Sequence, residues 1–401
     1  MKKKRRILIL LLRVGFFLLV LTIGASAALV VDETPGLALA DLPDDPVRTL
    51  ARSAQGEVAY VVMGDETQPQ RIYRSDDRGE TWRSVSSEPE AGLNTLTAHP
   101  TNEAILYAGS LSGSMDTTTS LRRSIDGGQS WQPFNLNLPA NPDHEVPTVT
   151  ALAIDPNQPD VLYVGTDGQS VYRFETGEIG YELWGGTSLP STRVNDLVID
   201  TVSRLYALTG DGLFVMNGNT WQPIDSLPEV PVSLAVAPTD PQVLYAGAPS
   251  SGLYRSTDGG QSWETANDGL GLVPGAALRI TALVVDDRDP EHVATATAYG
   301  LGSHLVASGV YESVNAGHSW TRLSQLDEIV TQLSFNDGMI YAATADGLEQ
   351  YGQPDDGTPF NPLSDLRALS SHPTGTQLLI LISTTAIGAL VLLGRVEWLL
   401  K

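Results

Sequence analysis

The chain has 401 residues, contains no cysteine and carries a formal net charge of −23. The lack of cysteine excludes thiol catalysis, cysteine-bound metals and disulfides, so that any exported domain must be stabilised by its own core. The strong negative charge argues against nucleic acid and anionic lipid as ligands of the folded surface.

The first segment has the pattern of an export signal. Residues 1–6 are methionine followed by five basic residues, and a mostly apolar run follows over 7–31. Ala25-Ser26-Ala27 offers a cleavage site, which predicts a signal peptide over 1–27. Because the apolar run is long enough to cross a bilayer, an uncleaved signal anchor is the alternative. Residues 28–46, rich in Pro, Asp and Ala, are predicted to form a linker.

A single pattern then recurs seven times. Each copy holds segments of about five β-branched, Leu and aromatic residues bounded by Gly, Pro, Asp or Asn, which is typical of short strands and turns. The copies start near Val47, Leu93, Val149, Val194, Val232, Ile280 and Ile329. Four short strands in a unit of roughly 40 to 50 residues predict one blade of a β-propeller. We therefore expect an all-β fold, a seven-bladed propeller with four-stranded blades over 47–365.

Four copies end in the motif Ser-x-Asp-x-Gly-x-Ser/Thr-Trp, with Asn replacing Asp in the last of them. The motif residues are Ser75, Asp77, Gly79, Thr81 and Trp82; Ser124, Asp126, Gly128, Ser130 and Trp131; Ser256, Asp258, Gly260, Ser262 and Trp263; and Ser313, Asn315, Gly317, Ser319 and Trp320. In the fourth copy the motif shrinks to Asn217-Gly218 before Trp221, and Asn-Gly is the preferred two-residue hairpin turn. The motif is therefore predicted to form a turn, with its Trp packed on a neighbouring element. In the seventh copy Phe360 is expected to replace the Trp.

The C-terminal segment has the pattern of a membrane span. After a stalk over 366–376, residues 377–394 include a run of 17 uncharged residues, and 395–401 form a short basic tail. At ~1.5 Å per residue the run approaches the ~30 Å thickness of a bilayer core. Basic residues at both ends predict that both ends are cytoplasmic and that the propeller lies on the extracytoplasmic side of the cell membrane.

The repeated motif resembles the Asp box, or BNR repeat, and its flanking context Ile154-Asp-Pro and Leu162-Tyr-Val-Gly-Thr is similar to that of BNR-like propellers. The resemblance extends over roughly 47–365. That superfamily includes sialidases, xyloglucanase-type glycosidases, sortilin ectodomains and photosystem II assembly-factor-like proteins. The resemblance therefore implies a fold and leaves the function open among enzymes, receptors and assembly factors.

The resemblance to sialidases implies a cluster of three arginines, a Tyr/Glu pair and an acid. Arg74, Arg123, Arg173 and Arg255 fall instead at equivalent positions of their repeats, which favours a blade feature over one converging site, and the Arg-Ile-Pro motif is missing. Other glycosidases need two carboxylates at a defined separation. Acids follow the Trp segments of many copies, and no pair stands out: Glu88, Glu90, Asp143, Glu145, Asp225, Glu229, Asp268, Asp327 and Glu328.

No two of the six histidines have metal-ligand spacing, and we expect no catalytic residue, metal or cofactor, although calcium at an Asp box stays open. Two insertions, Ser110–Ser120 and Ala298–Ser308, lengthen the second and sixth copies as loops, either as binding loops or as tolerated variation. We expect a membrane-tethered extracytoplasmic scaffold that binds protein or assists assembly. The alternative is a cell-surface glycan-binding protein or a glycoside hydrolase of the sialidase-like type.

Overall fold

The computed structural model describes residues 42–352, except 54–55, 65–69, 86–91, 111–119, 135–146, 177–181, 187, 192, 302–303 and 337. These residues belong to one compact unit, Thr34–Pro354. The predicted signal peptide, residues 28–41 of the linker, the stalk, the membrane span, the tail and Phe360 lie outside them. No helix within the described residues is long and apolar enough to cross a membrane.

Twenty-seven strands occur in the described part of the chain. The first three blades comprise β1 (Val47–Arg52), β2 (Ala59–Met63), β3 (Arg71–Ser75) and β4 (Arg83–Ser84); β5 (Leu93–Ala98), β6 (Leu106–Ser110), β7 (Leu121–Ser124) and β8 (Gln132–Pro133); and β9 (Val149–Asp155), β10 (Gln158–Thr166), β11 (Val171–Glu175) and β12 (Glu182–Leu183).

The remaining four blades follow in chain order. They comprise β13 (Val194–Ile199), β14 (Leu205–Thr209), β15 (Gly212–Asn217) and β16 (Thr220–Pro223); β17 (Ser233–Val236), β18 (Leu244–Gly247), β19 (Leu253–Ser256) and β20 (Glu264–Thr265); β21 (Ala277–Val285), β22 (Val293–Leu301), β23 (His304–Ser313) and β24 (Thr321–Ser324); and β25 (Gln332–Asn336), β26 (Met339–Ala343) and β27 (Leu348–Tyr351).

Each blade is an antiparallel sheet whose strands pair in chain order. Six of the sheets formed by the described residues have four strands, and the seventh has three; the chain that follows β27 lies outside the described range. The prediction of a seven-bladed propeller with four-stranded blades is confirmed. The second strands, such as β6 and β14, are buried along their whole length because each lies between two neighbouring blades, which explains their continuous apolar sequence.

The core is divided among the blade interfaces. The described residues form seven hydrophobic clusters, and each cluster is shared by two adjacent blades. The first strands contact one another in order around the ring, from β1 through β5, β9, β13, β17, β21 and β25 back to β1. Gln332 of β25 accepts a hydrogen bond from the Leu50 amide (2.8 Å) and donates one to the Leu50 carbonyl (3.1 Å). Among the described residues, the ring therefore closes through contacts between blades 1 and 7, and no strand of either blade joins the sheet of the other.

Antiparallel pairing gives the propeller two different faces. The loops between second and third strands and the links from one blade to the next lie on one face, which we call the connection face. The turns between first and second strands and between third and fourth strands, including the repeated motifs, lie on the opposite face, which we call the motif face. Blade 6 departs from the others because β21, β22 and β23 have nine or ten residues each.

The insertion Ala298–Ser308 was predicted to be a loop, and this is wrong. Its described residues are strand: β22 and β23 continue pairing from Thr297 and Gly309 up to Leu301 and His304. The sequence Leu305-Val306-Ala307 can pair as a strand, and the neighbouring Tyr299 and Ala298 supply the partner segment. We call this projecting hairpin, Ala298–Ser308, the β-arm.

Candidate binding face

The Asp-box carboxylates are engaged within their own turns. Asp77 Oδ1 accepts hydrogen bonds from the Thr81 amide (2.9 Å) and the Ser75 hydroxyl (2.7 Å), and Oδ2 accepts one from the Thr81 hydroxyl. The motifs of blades 2 and 5 repeat these bonds. The Ser262 hydroxyl and amide lower the pKa of Asp258 to about 2 because they bind its charged form.

The variant motif of blade 6 forms the same turn without a charge. Asn315 Oδ1 accepts hydrogen bonds from the Ser319 amide (3.0 Å) and the Ser313 hydroxyl (2.8 Å). Its Nδ2 donates to the Ser319 hydroxyl at 2.8 Å, reversing the direction of the bond made in the other boxes. The turn therefore depends on the shape of the side chain and its acceptor oxygen, and a negative charge is not needed to form it.

Three of the tryptophans bind the preceding blade. Trp221 Nε1 donates to the Trp184 carbonyl (3.1 Å), Trp263 Nε1 to the Ser226 hydroxyl (3.1 Å) and Trp320 Nε1 to the Ala266 carbonyl (2.8 Å). Trp82 instead bonds to the Gly79 carbonyl of its own turn. The motif residues are thus spread over separate turns of the motif face, where they join blades, and they are not gathered at one site.

The repeated arginines bind partners of their own blades. Arg74 lies over the ring of Tyr60 at 5.5 Å, and Arg123 lies over Tyr107 at 5.7 Å. Arg173 packs over Trp184 at 5.3 Å, and Arg255 pairs with Glu264 at 3.0 Å. Each guanidinium has an aromatic or acidic neighbour on its own sheet, so these positions form a blade feature and not a carboxylate-binding cluster.

Four of the predicted loop acids, Glu88, Glu90, Asp143 and Glu145, lie outside the described residues. Asp225, Glu229, Asp268, Asp327 and Glu328 lie in the links after blades 4, 5 and 6. Glu229 is held by two hydroxyls, Ser250 at 2.7 Å and Ser251. Within the described part of the chain, no three His, Asp or Glu side chains are grouped to hold a metal ion.

One acid that the sequence reasoning missed lies near the centre of the ring. Asp196 follows a β-bulge in β13, the first strand of blade 4. Its side chain is accessible to solvent, but the surrounding first strands replace much of the bulk water, and this burial raises the pKa of Asp196 to about 6. A hydrogen bond from the Leu197 amide (2.8 Å) acts in the opposite direction. The available signal was an acid inside a first-strand segment whose other residues, apart from Asn195, are apolar.

The most distinctive surface is apolar and lies on the connection face of blades 5 and 6. Ten large hydrophobic side chains are exposed among the described residues, and six belong to links and to the β-arm on this face. These six, which we call the apolar patch, are Val230, Val232, Leu272, Val273, Leu305 and Val306. Leu272 is 61% exposed and Leu305 is 44% exposed. Leu305 and Val306 lie in the insertion that the sequence left open as a binding loop or as tolerated variation, whereas Leu272 and Val273 were missed because they lie in an ordinary link.

Hydrogen bonds hold the elements of the apolar patch in place. Tyr299 of the β-arm donates from its hydroxyl to the Gly271 carbonyl, next to Leu272. The Gly252 amide donates to the Leu278 carbonyl, and the Leu278 amide donates to the Ser250 carbonyl, each at 2.9 Å. Ser250 in turn binds Glu229, next to Val230. The elements that carry these six side chains, three successive loops and a hairpin, are therefore held together before any partner binds.

Comparisons with known proteins agree with the fold. The BNR/Asp-box repeat family matches residues 254–265. Xyloglucanase Xgh74A of Acetivibrio thermocellus is 25% identical over 50% of this chain and 24% of its own length. A probable oligoxyloglucan-reducing end-specific xyloglucanase of Neosartorya fischeri is 25% identical over 78% of this chain and 41% of its own. The chain thus spans less than half the length of these curated relatives.

Solved structures include propellers of different kinds. YCF48 from Cyanidioschyzon merolae superposes with a TM-score of 0.57 at 14% identity, covering 79% of this chain and 98% of that one. YCF48 bound to D1 peptide gives 0.53 at 16%, covering 79% and 95%. The GH74 xyloglucanase from Xanthomonas campestris gives 0.50 at 16%, covering 80% and 69%. At these identities the likeness establishes the fold alone, and together with the Asp-box turns it identifies the chain as a seven-bladed β-propeller of the BNR/Asp-box type.

Proposed function

We propose that this propeller is a non-catalytic binding domain that takes up a segment of a partner protein on the connection face of blades 5 and 6. The apolar patch is the observation that carries the proposal. Apolar surface gains about 25 cal/mol per Å² when it is removed from water. Clustered exposed hydrophobic side chains on a soluble domain mark interaction sites more often than isolated ones do.

The rigidity of the patch supports binding without a large ordering cost. Its loops are fixed by hydrogen bonds from Tyr299, Leu278 and Ser250, so little conformational freedom remains to be lost on association. Glu229 is held by serine hydroxyls and acts here as a loop anchor. YCF48, which shares the fold, has been solved bound to D1 peptide, and this supports a peptide segment as the kind of ligand.

The proposal includes a membrane tether. Residues 377–394 form a transmembrane helix, the N-terminal apolar run directs export, and the propeller lies outside the cytoplasm. The charge pattern of the two ends supports this arrangement. Alkaline extraction of membranes should leave the full chain in the pellet, and deletion of 377–401 should release it. Protease added to spheroplasts should digest the propeller; protection of the propeller there would contradict the proposed side.

Site-specific crosslinking tests the binding face. A photoreactive amino acid is placed at Leu272 in the full chain, and a matched one at Val314, which is equally apolar and 68% exposed but lies on the motif face. In membranes of the native host, we expect one discrete protein adduct from position 272 and none from position 314. Equal labelling from both positions, or no adduct from 272, would reject the connection face as the binding site.

A second candidate function is glycoside hydrolysis, favoured by the xyloglucanase relatives. Acids of the links between blades, such as Asp225, Glu229 and Asp268, would have to supply its two carboxylates. The test is release of reducing ends from xyloglucan by the purified full chain. Our proposal expects none, and activity that disappears on a single change such as Asp268→Asn would replace the scaffold proposal with this one.

A further inference from the structure

We infer that the outer edge of the β-arm, His304–Ser308 of β23, binds an extended apolar and basic segment of a partner protein as an added β-strand. The inference rests on the proposed function, because it specifies how a partner segment would sit on the same face. It adds the mode of recognition, the element that performs it and the chemical character of the segment.

The edge is open because the two halves of β23 have different neighbours. The half nearest the motif face pairs with β24 over Val310–Glu312. The other half pairs only with β22, and within the described residues no strand covers its opposite side. Alternate residues of an uncovered antiparallel edge direct their amide and carbonyl groups outward, where they can pair with another chain.

A β-bulge separates the covered half from the open half. Thr297 faces Gly309 and Ala298 faces Ala307, which leaves Ser308 as the extra residue. At Gly309 a side chain would place its Cβ 2.0 Å from the Ser324 carbonyl oxygen, so β24 packs directly against the strand at that point. The bulge therefore lies where the covering strand ends, and the open half projects beyond the rest of the blade.

The open half lacks the features that usually protect an edge. Natural edge strands are blocked by charged side chains, proline, very short length or an inward bend. His304-Leu305-Val306-Ala307-Ser308 contains no Lys, Arg, Asp, Glu or Pro. Side chains alternate across a strand, so Leu305 and Val306 lie on opposite faces of the β-arm, and both are exposed. An added strand would thus find an apolar contact on each of its faces.

Charge selects the partner and argues against a second copy of this chain. Between the basic ends, the chain has 46 acidic residues against 16 arginines and no lysine. Asp327 and Glu328 follow β24, the strand next to the open edge. Edge-to-edge pairing of two copies would bring two strongly negative domains together, whereas a segment with Arg or Lys between its apolar residues would be attracted.

The edge geometry defines a test with a matched set of probes. Leu301 and His304 form the last pair of the hairpin, so Leu305, one residue further, directs its amide away from β22. The probes are three capped, fluorescein-labelled octapeptides of alternating Val and Arg. One is unmodified, and each of the other two has N-methyl groups on alternate residues, one peptide for each of the two possible registers. The charge and side chains are the same, and only the backbone donors differ.

Binding is measured by fluorescence anisotropy with the full chain in detergent at physiological salt. We expect the N-methylated peptide of one register to bind at least about tenfold more weakly, which corresponds to the loss of one or two hydrogen bonds. Leu305→Pro should weaken binding of the unmodified peptide to the same extent. Leu305→Ala keeps the amide and should therefore reduce the affinity less. Proline is tolerated on an edge strand at an outward-facing amide.

Strand addition is overturned if all the peptides bind equally, if none binds, or if Leu305→Pro and Leu305→Ala weaken binding alike. The comparison of N-methylated and unmodified peptides uses the unaltered chain, and so it holds even if the proline variant fails to fold. The crosslink from Leu272 separates the two levels of the proposal. If the adduct from position 272 persists in Leu305→Pro, the proposed binding face is retained and strand addition is rejected. If the unaltered chain gives no adduct from position 272, both proposals are rejected.

Discussion

The Tyr341 hydroxyl donates a hydrogen bond of 2.6 Å to the Arg78 carbonyl, joining the seventh blade to the Asp box of the first blade across 263 positions of sequence. Burial raises the pKa of Tyr341, which keeps the hydroxyl protonated as a donor. Gly79, with φ of +92°, lies so close that a Cβ would be 2.5 Å from this hydroxyl. The tyrosine of blade 7 therefore packs directly against the Asp-box turn of blade 1.

Replacing Tyr341 tests this ring-closing bond. Tyr341→Phe removes the donor to Arg78 and the acceptor for Gln350, so we expect a loss of about 1–2 kcal/mol in the free energy of unfolding. The matched control is Tyr206→Phe at the equivalent position of blade 4, whose buried hydroxyl has no hydrogen-bond partner among the described residues. That change should be neutral or slightly stabilising. Urea denaturation measures both, and equal losses would show that the bond to Arg78 contributes nothing specific.

Substitutions at Asp126 separate shape from charge in the Asp box. Asp126→Asn should change the unfolding free energy by less than about 0.5 kcal/mol, because Asn315 already forms this turn in blade 6. Asp126→Ala removes the acceptors for Ser124 and Ser130 and should cost about 1–2 kcal/mol. Thermal melts with calcium and with chelator extend the test: a melting temperature that rises with calcium in the unaltered chain and not in Asp126→Asn would assign an ion to this turn.

The tryptophans allow a similar comparison at the blade interfaces. Trp320→Phe removes ring area and also the hydrogen bond from the indole nitrogen to Ala266. Trp131→Phe removes ring area only, because the buried indole nitrogen of Trp131 has no hydrogen-bond partner in the described structure. We expect Trp320→Phe to cost about 1 kcal/mol more than Trp131→Phe. The measurement is chemical denaturation followed by far-ultraviolet circular dichroism. A larger loss at Trp131 would mean that packing, and not the bond between blades, dominates.

The blades could be predicted from the sequence because each short strand of the repeat is bounded by its own turn residues. Val47, Leu93, Val149 and Val194 were predicted as blade starts, and each is the first residue of a strand. Blade 6 was predicted from Ile280, whereas β21 begins at Ala277, since Ala277–Arg279 pair with the β-arm segment Ala298–Gly300. That pairing depends on a partner twenty residues away, which a local pattern does not contain.

The candidate site was much less predictable. The glycines around Leu301 made the sixth insertion look like a loop, and its strand character comes from cross-strand pairing. Leu272 lies in a link of ordinary composition, and nothing local indicates that it meets Tyr299 of the β-arm through Gly271. A surface assembled from separate blades becomes visible only when the ring closes, whereas the Asp-box turn is complete within eight residues.

The last prediction concerns pH and the contacts of His292 in blade 6. Its Nε2 lies 2.5 Å from Glu312 and its Nδ1 3.4 Å from Asp286, while its ring packs on Phe335 of blade 7 at 4.5 Å. Burial alone lowers the pKa of His292, but hydrogen bonds and charge attraction from Asp286 and Glu312 outweigh it and raise the pKa to about 9. Burial alone raises the pKa of Asp286, but hydrogen bonds from His292 and the Arg288 amide outweigh it and lower that pKa. The charge of Arg52, which pairs with the adjacent Asp287, acts in the same lowering direction.

Because the pKa of His292 is higher in the folded state than the ordinary value of about 6.5, the folded protein binds the proton more tightly. The stabilisation is fully present below pH ~6.5 and is lost as the pH rises through ~9. We expect the unfolding free energy to fall by on the order of 2 kcal/mol between pH 6 and pH 9.5, and His292→Gln to remove most of this slope. His318→Gln, at an exposed histidine of the motif face, is the matched control and should leave the slope unchanged. Urea titrations at both pH values measure the difference, and an equal slope in His292→Gln and the unaltered chain would show that another group governs this pH range.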